Sequence, residues 1–298
     1  MFKRNSKLTG KTIVVTGASS GIGKAIALTL AKDKVNLVLA ARRDALLQEV
    51  ASECESLGSE AIAVKTDVTI YDDVINLYEK ALSFFGKIDV WINDAGVGAV
   101  GNFTDTPMGA HEQVIKTNLL AYMYGAHAVL PHFKERKKGT LINIVSAGAY
   151  VPSPFAVAYS ASKFGLRGFS ESLRDEIQDL SNIHICDVNP AFINTPGPIH
   201  AANYIGKELR PATPTYDPFK VAQVVKSLIL KPRSNVMVGS AAWAARIAHA
   251  LAPRLVGKAM SKFAIYYFKK AKDVPVTNGN LWRPIPTGKE SRGGYYHH

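Results

Sequence analysis

The sequence predicts an α/β protein built on a doubly wound parallel sheet, a single domain with a basic helical extension at its C-terminus. Three observations support this fold. Short apolar runs alternate with longer amphipathic segments over the first 190 residues, as strands and crossover helices do in a parallel sheet. The short runs are almost continuously apolar, which is typical of strands covered on both faces. A glycine-rich segment separates the first apolar run from the first amphipathic segment.

Strands and helices are predicted in alternation along these 190 residues. Each strand is a short apolar run, and the strands are predicted at 12–15, 36–40, 61–65, 90–93, 140–145 and 184–189. Each helix follows a strand and has helical spacing of its apolar residues; the helices are predicted at 21–31, 45–57, 72–84, 109–130 and 158–180. This order predicts successive β-α-β units.

The chain changes character after residue 190. Residues 190–218 contain six prolines and predict a long loop across the strand ends. A helix at 219–230 and a strand at 236–238 follow this loop. Together these elements complete a predicted Rossmann-type domain that spans residues 8–240.

An amphipathic helical extension is predicted at residues 241–272, beyond that domain. It consists of two helices, 241–252 and 254–272, with Pro253 well placed for the first turn of the second. Residues 273–298 are rich in proline, glycine and asparagine and are predicted to form a loose tail.

The net charge of +12 belongs entirely to the last third of the chain. Residues 1–190 hold 20 cations and 20 carboxylates, whereas residues 191–298 hold 16 cations and 4 carboxylates. Residues 218–272 contain eleven lysines or arginines and no acid. No helix-turn-helix, zinc-finger spacing or aromatic RNA motif accompanies this charge, so we expect no nucleic-acid partner.

Three explanations of the basic extension remain open from the sequence. Along the helix at 254–272, Arg254, Lys258 and Lys262 share one face, and apolar residues share another: Val256, Met260, Phe263 and Tyr267. Such a helix can lie on an anionic membrane surface. Alternatively, its apolar face packs on the domain or on a neighbouring subunit, or lysines or Arg210 of the loop over the site attract an anionic substrate.

Cysteine content and hydropathy indicate a cytoplasmic protein, with the membrane surface as the open alternative above. Cys54 and Cys186 are too few for a disulfide framework, and their apolar neighbours indicate buried thiols. No apolar stretch reaches the roughly 20 residues of a spanning helix, and no signal-peptide pattern follows the N-terminus. The sequence also lacks a Cys/His cluster, so we expect no metal site.

The glycine-rich segment at 16–23 reads TGASSGIG and lies between the first predicted strand and helix. It is either an ordinary tight turn or a dinucleotide site. A turn of this kind lets the backbone approach a diphosphate, and the helix N-terminus offers free N–H groups and the positive end of its dipole. The strand before it and the helix after it favour the dinucleotide site.

The end of the second strand indicates which dinucleotide is bound. Enzymes that use NAD usually place an acid here to accept hydrogen bonds from the ribose 2′-hydroxyl. This chain instead has Arg42 and Arg43, which are either solvated surface residues or ligands of a 2′-phosphate. Because guanidinium forms charge-assisted bidentate bonds to phosphate, we expect NADP(H).

A proton-transfer pair is predicted at the start of the helix at 158–180. Tyr159 and Lys163 are four residues apart, so their side chains share one helix face. A nearby ammonium stabilises a phenolate and lowers its pKa. Ser146 follows the fifth predicted strand and supplies a hydroxyl that can hold a carbonyl or alcohol oxygen. Tyrosine and lysine at this spacing are common by chance, but the serine and the glycine-rich turn make coincidence a poor explanation.

Together these motifs resemble the classical short-chain dehydrogenase/reductase family over about residues 8–240. The matching positions are TGASSGIG at 16–23, NDAG at 93–96, Asn118, Ser146 and YSASK at 159–163, with Asp67 and Val68 at the adenine-contacting position. The resemblance implies that Tyr159 is the catalytic acid/base and that Lys163 lowers its pKa and binds the nicotinamide ribose. It implies that Ser146 orients the reacting oxygen and that Asn118 holds a water in the proton relay. The other positions that it assigns to the cofactor are Gly17, Ser19, Ser20, Gly21, Ile22, Gly23, Arg42, Arg43, Asp67, Val68, Asn93, Ala95, Gly96, Pro190, Ile193 and Thr195.

Two positions depart from the family pattern. The family commonly has asparagine where this chain has Asp94, and glycine where it has Ala191. A carboxylate cannot donate the hydrogen bonds of an amide unless it is protonated, so Asp94 puts the local pKa and packing in question. Ala191 adds a methyl group beside the expected nicotinamide position.

The predicted function is NADP-dependent hydride transfer between nicotinamide and a carbonyl or secondary alcohol, in the reductive direction. Apolar residues flank the expected site and favour a lipophilic substrate: Tyr150, Val151, Pro152, Phe155, Phe192 and Ile193. The alternative is a non-catalytic protein of the same fold that senses NADP(H). The resemblance also implies a homo-oligomer, a dimer or tetramer assembled through the helices at 109–130 and 158–180.

Overall fold

A seven-stranded parallel sheet forms the centre of the computed structural model, which describes residues 6–295. Its strands are β1 (Thr12–Thr16), β2 (Asn36–Ala41), β3 (Glu60–Lys65), β4 (Val90–Asn93), β6 (Gly139–Ile144), β7 (Ile183–Pro190) and β9 (Asn235–Val238). They lie in the order β3-β2-β1-β4-β6-β7-β9, and every neighbouring pair is parallel. The chain therefore reverses its direction of travel across the sheet between β3 and β4, the position at which doubly wound folds bind ligands.

Helices cover both faces of this sheet. Their bounds are α1 (Gly21–Ala31), α2 (Asp44–Ser56), α3 (Tyr71–Phe85), α4 (Met108–Ile115), α5 (Ala121–Arg136), α6 (Val157–Glu176), α7 (Gly197–His200), α8 (Pro218–Leu230), α9 (Ser240–Leu251) and α10 (Pro253–Lys270). Apolar residues of α1, α2 and α8 form one core with the sheet, and those of α3, α5 and α6 form a second. All five residues of β1 are buried between them, which explains the continuous apolar runs in the sequence.

The predicted doubly wound α/β fold is confirmed, and each predicted strand and long helix is present with bounds that differ by a few residues. The helix predicted at 109–130 is the exception, because a π turn at Lys116–Leu120 separates α4 from α5. Two features were not predicted. A short parallel pair joins β5 (Ala99–Val100) to β8 (Ala202–Asn203), and α7 lies within the proline-rich loop.

The helical extension, α9 and α10, packs one face on the domain. Ala245 and Val256 contact the cluster around Tyr150, and the Phe268 ring lies edge-on to Phe155 at 5.3 Å between centroids. Tyr150 and Phe155 belong to the segment that follows Ser146, so the extension lies beside the expected substrate site. Among residues 6–295, none of the helices combines the length and the hydropathy that a membrane-spanning segment requires.

Residues 273–295 have almost no regular secondary structure, yet they are held against the domain. Leu281 is fully buried, and Asp273 forms an ion pair with Lys207. The sequence predicted a loose tail here, because proline, glycine and asparagine indicate the absence of helix and strand but do not indicate which backbone groups find partners. Residues 296–298 of that predicted tail lie outside the described residues.

Candidate functional site

The glycine-rich turn connects β1 to α1 and lies against the end of β4. Gly17 has φ +73°, and a Cβ added there would lie 2.9 Å from the backbone of Ala95. A Cβ on Gly23 would lie 2.5 Å from the carbonyl oxygen of Gly17. Only glycine permits these approaches, so the turn brings the N-terminus of α1 to the carboxyl edge of the sheet.

The beginning of α1 has the properties of a site for a diphosphate. The first turn carries no acidic residue, and Ser20, at the N-cap position, makes no side-chain cap hydrogen bond to the helix. The first backbone N–H groups of a helix are unpaired within it, and the helix dipole favours an anion beside them. Gly21, Ile22 and Gly23 therefore occupy the positions that a dinucleotide diphosphate needs.

Arg42 and Arg43 follow β2 and lie beside this turn. Arg43 donates hydrogen bonds to the hydroxyl of Ser19 at 3.1 Å and to that of Ser20 at 2.6 Å. Burial lowers the pKa of both guanidinium groups, and for Arg43 the neighbouring charge of Arg42 lowers it further. Two cations and two hydroxyls at the end of β2 form a donor set that suits a phosphate.

The positions expected around the adenine lie at the ends of β3 and β4. Asp67 accepts hydrogen bonds from the backbone and hydroxyl of Thr69. Its negative charge raises the pKa of Arg42, opposing the effect of burial. Val68 is buried close to it, and Ala95 and Gly96 continue the chain beyond β4. The Asn93 side chain is directed elsewhere, because it bonds to Trp91, to Asn143 and to the backbone of Tyr122 in the core.

Ser146 and Tyr159 meet at the carboxyl edge of the sheet. Ser146 follows β6, and its hydroxyl accepts a hydrogen bond from the Gly148 amide at 2.9 Å. Tyr159 lies in the first turn of α6 and hydrogen-bonds to Ser146. Two hydroxyl groups are thus adjacent, an arrangement that can hold one carbonyl oxygen and pass a proton to it.

Lys163 lies one turn further along α6, directed towards the core. Its ammonium donates to the Ile144 carbonyl at 3.3 Å and lies 5.7 Å from the centre of the Tyr159 ring. Asn118 lies in the π turn, where its amide exchanges two hydrogen bonds with the backbone of Val97. π turns are frequent at functional sites, and this one directs Asn118 towards α6, where it also bonds to Ser162.

The pKa of Tyr159 differs from the expectation. The sequence predicted that Lys163 lowers it, but burial raises the pKa of Tyr159 above its usual value, and the hydrogen bond from Ser146 opposes this only in part. Burial also lowers the pKa of Lys163 to about 8. Spacing along a helix indicates which groups share a face, whereas desolvation depends on everything packed around them. At neutral pH Tyr159 therefore holds its proton.

Asp94 is a titratable group at the centre of the site, and its pKa is raised to about 7 because it is buried. The charge of Lys163 and a hydrogen bond from the Gly23 amide oppose that increase. Reciprocally, Asp94 raises the pKa of Lys163. The departure from the family's asparagine therefore introduces an acid that is partly ionised at neutral pH and coupled to the lysine of the predicted catalytic set.

The positions expected beside the nicotinamide follow β7. Pro190 ends that strand and pairs with Val238, and Ile193 is buried against Tyr216. Thr195 returns towards the glycine-rich turn, since a Cβ on Gly21 would lie 3.6 Å from its side chain. The turn, the catalytic pair and this segment therefore share one edge of the sheet.

The tail at residues 280–293 makes a group of contacts that were not predicted from the sequence. Backbone carbonyls of this segment accept hydrogen bonds from Arg42, from Arg43 and from the amide of Gly21. Leucine and tryptophan at 281 and 282 were a signal that could have indicated these contacts, because they are large apolar residues within a polar, proline-rich tail.

The sequence matches the short chain dehydrogenase family over residues 11–201. An uncharacterized oxidoreductase, YxnA of Bacillus subtilis, is 34% identical over 271 residues, covering 89% of this chain and 75% of that protein. An NADP-dependent 3-hydroxy acid dehydrogenase of Schizosaccharomyces pombe is 34% identical over 244 residues, covering 78% of this chain and 92% of that protein. The solved structure of a metagenomic short-chain oxidoreductase in complex with NADP superposes with a TM-score of 0.67 and 30% identity. The match covers 78% of this chain and 98% of that one.

The raised pKa of Asp94 predicts a pH-dependent effect of Asp94→Asn on stability. A carboxyl whose pKa is about 7 when folded binds more protons than in the unfolded chain, so its contribution to stability falls as pH rises from its usual value to 7. The unfolding free energy of Asp94→Asn relative to wild type should therefore increase between about pH 5 and 7, by up to about 1.4 kcal/mol per unit. Urea unfolding across this range measures it.

Asp105→Asn is the matched control, since Asp105 is an exposed carboxylate in a loop. Its stability relative to wild type should not change with pH. A pH-independent difference for Asp94→Asn would show that Asp94 is ionised throughout this range.

Proposed function

The chain belongs to the short-chain dehydrogenase/reductase family and is an oxidoreductase, and we propose that it reduces a lipophilic carbonyl compound with NADPH. The observation that carries this proposal is the Tyr159 hydroxyl, which belongs to a partly buried side chain, is protonated at neutral pH and is bonded to Ser146. A site that donates one proton beside the expected nicotinamide position suits carbonyl reduction. The cofactor supplies the hydride when bound.

Each residue of the site has a distinct task in this reaction. Ser146 and Tyr159 hydrogen-bond to the carbonyl oxygen, which polarises the carbonyl and holds its carbon towards the nicotinamide side. As negative charge develops on that oxygen, Tyr159 donates its proton. The ammonium of Lys163 stabilises the phenolate that remains, and Asn118 holds the water through which Tyr159 is reprotonated.

The reductive direction is supported by the state of the acid. A phenol with a raised pKa carries the proton that reduction consumes, whereas oxidation of an alcohol needs it as a base. Lys163 keeps its charge below about pH 8, where its pKa lies. The proposed reaction is therefore fastest near neutral pH and slows as Lys163 deprotonates.

The preference for NADP rests on the donors at the end of β2. Arg42, Arg43, Ser19 and Ser20 form a cluster of cations and hydroxyls, with no acid at the position that would bind a ribose 2′-hydroxyl. Support also comes from the relative named as NADP-dependent and from the solved relative that holds NADP.

The lipophilic substrate is proposed from the walls beside Ser146. Tyr150 and Val151 follow Ser146 by four and five residues and are buried. Phe155 lies against Phe268 of the helical extension. Phe192 follows β7 and is 47% exposed, which leaves an aromatic face for a substrate. We further propose a homo-oligomer formed through α5 and α6, where Met123 and Phe164 are exposed on adjacent helices.

Replacement of Tyr159 by phenylalanine tests the reaction. Tyr159→Phe removes the proton donor, so kcat for reduction of an accepted ketone should fall by about 10²–10⁴-fold. The Kd for NADPH should stay within about twofold, since the ring remains. NADPH consumption and fluorescence titration measure the two quantities.

Tyr124→Phe on α5 is the matched control and should keep full turnover. Unchanged turnover in Tyr159→Phe would contradict the role of Tyr159. NADPH binding without turnover of any ketone or aldehyde by the wild type would favour the NADP(H)-sensing protein instead. Faster turnover of small polar hydroxy acids or sugars than of lipophilic ketones would contradict the substrate class.

Arginine replacement tests the cofactor preference. Arg43→Ala should lower kcat/KM for NADPH by about 10–100-fold and change that for NADH little, because only the 2′-phosphate loses a charge-assisted bond. The matched control is Arg233→Ala, an exposed arginine after α8. An unchanged ratio of NADPH to NADH activity would contradict the proposed phosphate site.

We also propose that the helical extension contacts an anionic lipid surface. It exposes a set of large apolar side chains, called the apolar stripe below: Trp243, Ile247, Leu251, Leu255, Phe263 and Tyr266, with exposures of 39–81%. Cations flank it at Arg254, Lys258, Lys262 and Lys269. Within residues 6–295, none of the ion pairs involves a cation of 241–272.

Charge favours lipid over a second copy of the chain as the partner of the apolar stripe. A twofold contact would bring the same cations of two subunits together in a region without acids, which costs energy. Anionic headgroups neutralise these cations while the apolar side chains enter the acyl boundary.

Vesicle flotation tests the lipid contact. The wild type should float with vesicles that contain phosphatidylglycerol and much less with pure phosphatidylcholine. Leu251→Ser/Leu255→Ser should lose this binding because it removes the most exposed apolar side chains. Lys258→Glu/Lys262→Glu should lose it because the flanking charge reverses.

Matched controls lie elsewhere on the surface. Phe84→Ser changes a 60% exposed aromatic residue of α3, and Lys137→Glu/Lys138→Glu reverses two exposed cations after α5. Both should float as the wild type does. Equal flotation of all variants, or loss of dimerisation in place of flotation, would contradict the lipid contact.

A further inference from the structure

The tail follows the path along which a dinucleotide binds in this fold. Starting beside Arg42 at the end of β2, it passes Arg43 and the N-terminus of α1 and reaches the segment after β7. In doubly wound folds, a dinucleotide runs along this same edge from its adenosine to its nicotinamide. The tail therefore lies over the whole length of the proposed cofactor site.

Carbonyl oxygens of the tail use the arginine donors that the 2′-phosphate would need. Arg42 donates to the Asn280 carbonyl at 2.5 Å and to those of Leu281 and Trp282 at 3.3 Å. Arg43 donates through one nitrogen to the carbonyls of residues 287 and 288, at 3.2 and 3.3 Å. Its other donors hold Ser19 and Ser20, so both arginines already have acceptors.

The same segment binds at the diphosphate and nicotinamide positions. The amide of Gly21, the first residue of α1, donates to the Glu290 carbonyl at 3.0 Å. Further along, the Gly293 amide donates to the Asn194 carbonyl at 3.1 Å. A Cβ on Gly293 would lie 2.4 Å from the Thr195 carbonyl oxygen, so the tail backbone is in direct contact there.

Two side chains anchor the tail through contacts that involve neither the two arginines nor the glycine-rich turn. Leu281 is fully buried in a cluster with Ala110, Val114 and Ala202. Arg292 forms an ion pair with Asp217 at 2.7 Å. These anchors fix the tail at its two ends, and its carbonyls in between meet the arginines and the helix N-terminus.

We infer that residues 280–293 are an internal ligand of the dinucleotide site, which NADP(H) must displace in order to bind. This inference rests on the proposed NADP(H) binding. A phosphate oxygen and a tail carbonyl cannot share the same hydrogen atoms of Arg42, Arg43 and Gly21. The open conformation is then the one that binds, and the measured Kd is the intrinsic Kd divided by the fraction of molecules whose tail is released.

Charge explains why the cofactor can win this competition. The tail offers neutral carbonyl acceptors, whereas a dinucleotide phosphate offers anionic ones, whose hydrogen bonds are about twice as strong. The tail in turn has the advantage of being covalently attached, which gives it a high effective concentration. The tail therefore supplies acceptors for the partly buried arginines in the free protein, and a phosphate ligand replaces those acceptors when it binds.

Hydrogen–deuterium exchange of the wild-type chain distinguishes displacement from a lid. If NADPH displaces the tail, amides in peptides covering 280–293 should exchange faster when NADPH is added, while those of 17–23 exchange more slowly. A lid that closes over the cofactor would slow exchange in both regions. Slower or unchanged exchange at 280–293 would overturn the inference.

Loosening the anchors provides a second measurement. Leu281→Ala/Arg292→Ala weakens the tail at both ends and should lower the Kd for NADPH by at least about fivefold. The Kd for NADH should fall by a similar factor, because the same tail must leave. Trypsin should also cut the tail faster in this variant, at Lys289, which is exposed.

Leu228→Ala/Arg254→Ala is the matched control for lost stability and charge. Leu228 is fully buried in α8, and Arg254 is exposed at the start of α10, both away from the tail. This variant should keep the wild-type Kd. An unchanged Kd in Leu281→Ala/Arg292→Ala would overturn the internal ligand while leaving the proposed function intact. Failure of every variant to bind either dinucleotide would overturn both.

Discussion

The close approach of the glycine-rich turn to the end of β4 is the contact on which the rest of the site depends. A side chain on Gly17 or Gly23 would collide with backbone atoms at less than 3 Å. Because these two positions have no side chain, α1 begins at the carboxyl edge of the sheet, beside Asp94 and within reach of Thr195. The diphosphate position, the acid and the segment after β7 are all located by this one approach of two backbones.

Burial then determines the proton chemistry. Tyr159, Lys163 and Asp94 are desolvated together, and desolvation favours the neutral form of each group. The pKa values of Tyr159 and Asp94 are therefore raised, and that of Lys163 is lowered. The attraction between Asp94 and Lys163 opposes this and links the two titrations. The family's usual asparagine has no such charge, so this chain couples Lys163, the proposed catalytic lysine, to an acid whose pKa is about 7. The phenol of Tyr159 keeps its proton at neutral pH for the same reason, since removal from water favours the uncharged form.

The uneven charge of the chain separates three regions with different tasks. The first 190 residues have no net charge and contain the glycine-rich turn and the proposed proton-transfer groups. The helical extension carries cations around exposed apolar residues, beside the wall of the substrate site. The tail meets the arginines at the end of β2 through backbone carbonyls, and its own Arg292 pairs with Asp217. The excess of positive charge therefore lies outside the segment that contains the proposed proton-transfer groups.

The sequence by itself determined the sheet, its helices and the identity of the groups at the carboxyl edge, because hydrophobic period, glycine spacing and helical i, i+4 geometry are local properties. It therefore placed Ser146, Tyr159 and Lys163 together. Only the tertiary structure decided how those groups titrate and where Asn93 and the tail point. Burial depends on every neighbour, and the partners of backbone carbonyls, such as that of Asn280, leave no trace in residue type. Tyr159 consequently has a raised pKa where the motif predicted a lowered one, and a tail that composition described as loose lies along the dinucleotide path.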